Sequence, residues 1–139
     1  MKDRCFLDTN IFIYSIDRRD PIKEQKAAKL IRDSLGSLKG VVSFQVVQEF
    51  FNAAKRMVAP MSIESSQRYL ERVFLPLLRV HSSAALYGDA LAFQGRYRLS
   101  WYDSLIVCAA LNAECTILYS EDMQHGQRFG GLQIQNPFL

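Results

Sequence analysis

Short apolar runs of strand length alternate with longer segments of helical period from one end of this sequence to the other, and that alternation limits the folds open to it. Cys5-Phe6-Leu7, Val41-Val42, Leu77 to Val80 and Thr116-Ile117-Leu118-Tyr119 are the strand candidates, with Leu132 to Ile134 after Gly130-Gly131 as a last one. Strands separated throughout by helices imply an α/β domain with a mainly parallel central sheet covered on both faces.

The segments between the strands carry their own start and stop signals. Asp8-Thr9-Asn10 ends the first apolar run, and Ile11, Phe12, Ile13, Tyr14 and Ile16 suit a short helix. Asp20-Pro21 opens a second helix over about Ile22 to Leu35, with Ala27, Ala28, Leu30, Ile31 and Leu35 inward and Gly36 as its stop. Ser43 is expected to cap the helix that bears Val46, Val47, Phe50, Phe51 and Ala54, and Ser62 the helix that bears Ile63, Tyr69, Leu70, Val73 and Phe74. Pro76 should end or kink the latter, because it has no N–H with which to continue. A helix from Ser83 toward Arg98 is weakened by Gly88 and Gly95, and one from Trp101 to Ala113 is apolar enough to be packed on more than one side.

A length of 139 residues suits a single domain, expected to span residues 1–139, with enough chain to bury a core without staples. Hydrophobic residues make up 49% but are repeatedly broken by charges, and no run is long enough to span a bilayer. Only Cys5, Phe6 and Leu7 separate the charged opening residues from Asp8, too few for the apolar core of a signal peptide, so a cytoplasmic location is expected. Cys5, Cys108 and Cys115 are odd in number and lack C-x-x-C spacing, which favours buried free thiols over a disulfide framework or a zinc site. A net charge of +3 permits a polyanionic partner without identifying one.

In parallel sheets functional groups gather beyond the carboxyl ends of the strands. Asp8 directly follows the first strand and Asp122 closely follows the Thr116–Tyr119 strand, so the two carboxylates face each other if those strands are neighbours. Glu49 and Asp103 lie on helices that could start from the same rim. Four acids sharing a small space repel one another unless protonated or bound to a cation, and an all-oxygen set suits Mg2+ or Mn2+ rather than zinc. Such an ion lowers the pKa of water and neutralises charge on a phosphoryl oxygen, so phosphodiester hydrolysis is the chemistry that fits best. Each acid taken singly also has a structural use. Asp8 can cap a helix, Ser100-x-x-Asp103 matches a capping box, Glu49 can be a surface acid, and Asp122 can start a turn.

Their order along the chain favours the shared site. Phe6-Leu7-Asp8-Thr9-Asn10, Val46-Val47-Gln48-Glu49-Phe50, Trp101-Tyr102-Asp103-Ser104-Leu105-Ile106 and Tyr119-Ser120-Glu121-Asp122-Met123-Gln124 resemble the motifs of PIN domains, most closely those of VapC-like toxin ribonucleases. The resemblance covers the whole chain. It implies a three-layer α/β/α fold and an Mg2+- or Mn2+-dependent endoribonuclease with Asp8, Glu49, Asp103 and Asp122 as catalytic, metal-binding acids, and Asn10 and Ser120 as supporting polar groups. Which acids touch the ion directly and which act through water stays open, with Asp8 and Asp103 favoured for direct contact. It also implies a cognate antitoxin and a homodimer.

An acidic pocket repels RNA, so phosphate contacts are expected from surrounding cations: Arg96 and Arg98 first, then Lys55 and Arg56, with Arg18, Arg19 and Lys23 as a further patch. Tyr14, Tyr97, Trp101 and Tyr102 are candidates to stack on unpaired bases. The competing readings are a nuclease acting on DNA, a noncatalytic PIN-like module that binds RNA or protein, a regulatory subunit, and a phosphatase forming an aspartyl phosphate. The last is disfavoured because Asn10 stands where such enzymes need a second Asp.

Overall fold

In the computed structural model, which describes residues 3–57 and 59–139, the apolar runs become strands at the expected places. β1 (Arg4–Leu7), β2 (Gly40–Ser43), β3 (Leu78–Val80), β4 (Cys115–Tyr119) and β6 (Leu132–Gln135) run parallel, in the order β3-β2-β1-β4-β6. A two-residue strand that the sequence pattern does not announce, β5 (Arg128–Phe129), closes the edge antiparallel to β6. The chain winds outward from β1 to β2 and β3, then returns to lay β4 on the other side of β1. The crossovers therefore diverge between β1 and β4, which leaves a crevice at the carboxyl ends of these two strands.

Helices cover both faces of this mainly parallel sheet, giving the three-layer α/β/α arrangement. They are α1 (Thr9–Ile16), α2 (Pro21–Ser37), α3 (Phe44–Ala54), α4 (Ile63–Tyr69), the short α5 (Leu75–Leu77), α6 (Ala84–Tyr97) and α7 (Trp101–Asn112). α7 contacts β2 and β4 with α6 packed beside it, and every residue from Ser104 to Ala110 is buried, as its unbroken apolarity requires. α1 packs against α2 and α3. An aromatic cluster packs in the core: the Tyr69 ring stacks on Phe50 with centroids 4.7 Å apart, and the Phe74 ring lies 4.9 Å from Phe12 and 5.0 Å from Phe50. Phe74 thus lies in the core, with Tyr69 packed against it. No helix among the described residues is long and apolar enough to cross a membrane.

Several local expectations change. α2 runs through Gly36 to Ser37, and the left-handed residue that ends it is Leu38, at φ 60°. An exposed Gly costs a helix only about 1 kcal/mol against Ala, too little to stop it here. Gly88 and Gly95 likewise leave α6 unbroken. Ser43 precedes α3 but its hydroxyl makes no capping bond and lies buried without a partner, whereas Ser62, Ser83 and Ser100 cap their helices. Ile63 is 73% exposed, because it occupies the first turn of α4, beyond the core. Before Pro76 the helix widens into a π turn (Leu70–Phe74), since proline offers no N–H and its ring crowds the carbonyl four residues back. Cys108 and Cys115 are buried and Cys5 partly so, all three as free thiols.

Gly40 is required for a different reason. A Cβ there would come within 2.6 Å of Ser34 Cβ and 2.8 Å of Leu77 Cδ2, because α2 crosses the start of β2 at this point. Gly40→Ala is expected to destabilise the fold by about 1–3 kcal/mol, read as a lower urea midpoint at unchanged m-value.

Candidate active site

Asp8 sits at the crevice. Its backbone N–H donates to Tyr119 O at 3.0 Å, extending the β1–β4 ladder by one bond, and its side chain begins α1 by accepting from Thr9 N at 2.7 Å. Ser120, fully buried at the end of β4, donates its hydroxyl to Asp8 Oδ2 at 2.7 Å and accepts from Asp122 N–H at 3.2 Å. One hydroxyl thus ties the first acid to the loop that carries the last. Thr9 Oγ1 donates to Glu49 Oε1 at 3.1 Å and joins α1 to α3 at the same point.

Burial, with smaller contributions from the charges of Asp122 and Glu49, pushes the Asp8 carboxyl up to about 6, against the pull of its hydrogen bonds from Ser120 and Thr9. Burial also raises Asp103, again with a contribution from Asp122 and against a Ser100 hydrogen bond. Asp103 is at the same time part of the α7 cap, its N–H donating to Ser100 Oγ at 3.1 Å. Asp122 therefore acts electrostatically on both Asp8 and Asp103, and Glu49 acts on Asp8. The capping uses and the shared electrostatics coexist.

A cavity of about 360 Å³ lies in the crevice, lined by Thr9, Asn10, Ile13, Glu49, Asn52, Ala53 and Asp122. Both polar atoms of the Asn10 amide are buried there without a hydrogen-bond partner. Among the described residues no three His, Cys, Asp or Glu side chains are gathered closely enough to cage an ion. The donors nevertheless fit a hard divalent cation. They are all oxygen, they repel one another, an orphaned amide stands beside them, and Mg2+ typically keeps several waters while taking only one or two carboxylates.

The expected RNA-facing cations are distributed more widely. Arg18 and Arg19 line a separate cavity of about 530 Å³ with Ile16, Asp17, Met57 and Ala59, and Arg19 is held by Asp17 at 2.7 Å. Lys55 and Arg56 are exposed just past α3, and Arg98 is the exposed left-handed cap of α6. Arg96 lies over the Tyr97 ring, 5.1 Å from its centroid, and lines a cavity between α6 and α7 with Asp89 and Cys108. None of these cations lines the acid cavity.

Glu121, between Ser120 and Asp122, contributes to the site through its own contacts. It accepts from Tyr14 Oη at 2.5 Å and from Lys23 Nζ at 2.6 Å, so the loop bearing Asp122 is fastened to α1 and α2. Burial works to raise the Glu121 carboxyl, but the Lys23 and Tyr14 hydrogen bonds outweigh it and hold the group below its usual range. Only its position beside Asp122 signalled this in the sequence; its partners are 98 and 107 residues away. Glu121→Ala is expected to speed hydrogen exchange at the Ser120 and Asp122 amides and lower any activity that depends on Asp122, with little change in the far-ultraviolet spectrum.

Residues 5–127 match the family model described as PIN domain. The chain belongs to the PIN-domain family. Solved structures repeat its fold. A toxin–antitoxin complex from Klebsiella pneumoniae is similar at a TM-score of 0.66 and 18% identity, over 96% of this chain and 97% of that one. VapBC2 from Rickettsia felis, bound to a DNA fragment from its promoter, gives 0.66 and 18% over 95% and 97%. The sarcin-ricin loop cleaving toxin VapC20 of Mycobacterium tuberculosis gives 0.62 and 17% over 85% and 89%. At such identities the likeness concerns the fold. No curated protein matches the sequence.

Proposed function

We propose that this PIN domain is an Mg2+- or Mn2+-dependent endoribonuclease and the toxin of a toxin–antitoxin pair. The observation that carries the reading is the buried Asp8 carboxyl at the β1–β4 crevice, held by Thr9 N–H and the Ser120 hydroxyl and tied through Ser120 to the loop of Asp122. Asp8 and Asp103 are assigned to hold the ion, with Glu49 and Asp122 beside them. When bound, the ion supplies Lewis acidity toward the phosphate and lowers the pKa of water. Thr9 N–H and the Ser120 hydroxyl keep Asp8 oriented, and Glu49, held by the Thr9 hydroxyl, is assigned to take the proton from the attacking water. The leaving group is a ribose oxygen. Arg18, which lines the cavity of Ile16, Asp17, Arg19, Met57 and Ala59, is assigned to a flanking phosphate.

The antitoxin assignment is supported by similar folds solved as toxin–antitoxin complexes. The cytoplasm, where RNA substrates are found, is the expected location, and a second copy of the chain the expected partner, to be checked by sedimentation. The purified protein should cleave RNA in Mg2+ or Mn2+, spare single-stranded and flap DNA of equal length, and stop when a chelator is added. Cleavage of the DNA alone would reassign the substrate, and RNA cleavage undiminished by chelator would remove the metal from the proposal.

A further inference from the structure

The side of α3 that meets the acid cavity is polar at helical spacing: Gln45, Gln48, Glu49 and Asn52 fall at i, i+3, i+4 and i+7. With Tyr102 they line a second cavity, of about 410 Å³, which meets the acid cavity at Glu49 and Asn52. No Lys or Arg lines it, and its one carboxylate repels anions, so a phosphate gains nothing there. The cavity offers instead uncharged amides, each with donors and an acceptor, beside a phenol ring that is 62% exposed. Gln45 is only 4% exposed and donates Nε2 to the Tyr102 carbonyl at 3.2 Å, tying the first turn of α7 to α3, so the ring projects from an anchored backbone.

The other aromatic candidates are engaged elsewhere. Tyr14 is bonded to Glu121, Tyr97 packs on Phe93 and Phe129, and Trp101 stacks on Tyr87. An aromatic face beside amide donors and acceptors, without cations, is the chemistry that recognises an unpaired nucleobase. We propose that this cavity is the subsite for one unpaired base next to the cleaved bond, with Tyr102 stacking on it and Gln48 and Asn52 reading its edge. The inference rests on the ribonuclease reading above.

The test uses short single-stranded RNAs, intact or with one abasic site placed at each position in turn, cleaved by the wild type, Tyr102→Ala, Tyr102→Trp and the double variant Gln48→Ala/Asn52→Ala. Tyr102→Ala should lower kcat/KM on intact RNA by roughly 5- to 150-fold, the range of a lost base stack, and Tyr102→Trp should restore most of it. On RNA lacking the base at the critical position, the Tyr102→Ala penalty should shrink to within about twofold, because the two changes remove the same contact. The double variant should flatten the base preference at that position. An equal Tyr102→Ala penalty on intact and on every abasic RNA, or no penalty at all, overturns the subsite while the ribonuclease reading stands. A wild type that cleaves no RNA with either metal overturns both.

Discussion

Asp8→Asn is expected to slow RNA cleavage by orders of magnitude while making the metal-free protein more stable. Loss of the acid should slow cleavage by roughly 10²- to 10⁴-fold, the range for a group acting directly at the reacting centre. The gain in stability follows from linkage. The folded Asp8 carboxyl sits at about 6 against an ordinary 3.8, so the native state holds the proton more tightly than the unfolded chain. Below about pH 3 both states are protonated and the group costs nothing. As the pH rises from about 3 through 6 the unfolded chain ionises first, and the native state loses on the order of 3 kcal/mol. Asn is nearly isosteric and carries no charge, so the variant avoids that loss. Urea unfolding in chelator should show Asp8→Asn more stable than the wild type at pH 8 and equal to it at about pH 3. A variant less stable at pH 8 would mean that Asp8 serves chiefly as the α1 cap.

Divalent metal is expected to offset the same cost in the wild type. At a free Mg2+ or Mn2+ concentration one hundred times the dissociation constant, binding to the folded state alone adds about 2.7 kcal/mol, and the gain should nearly vanish in Asp8→Asn. Proton and metal compete for Asp8, so affinity should fall steeply as the pH drops below 6, the value to which burial raises it. Calorimetric titration at pH 5 and pH 8, with thermal melts in chelator and in metal, reads both effects. Equal affinity at the two values, or equal stabilisation of wild type and variant, would detach Asp8 from the ion.

The fold was largely legible because strand runs and helical periods are local. β1, β2, β3, β4 and β6 lie where the apolar runs place them, and the Pro76 disturbance came as expected, though as a π turn upstream rather than a break at the proline. Errors arose where local propensity was weaker than packing, as at Gly36, Ser43 and Ile63. The acids were legible in another way. Each stands at a strand end or helix start that the pattern marks, so their presence could be read, but not their mutual effects. Those depend on β4 returning beside β1, which no periodicity encodes. The Glu121 fastening and the Gln45–Tyr102 bond are not legible in the sequence for the same reason, since each joins residues more than fifty positions apart.

The sequence by itself determined the α/β architecture, the positions of Asp8, Glu49, Asp103 and Asp122, and the PIN resemblance, because alternation of apolar runs and short motifs are properties of neighbouring residues. The tertiary structure alone decided which strands adjoin, which acids feel one another, that Ser120 bridges Asp8 to the Asp122 loop, and that the polar stripe of α3 faces Tyr102. Burial and electrostatic coupling depend on distance in space and on the exclusion of water, and both arise only when the crossovers bring remote segments together.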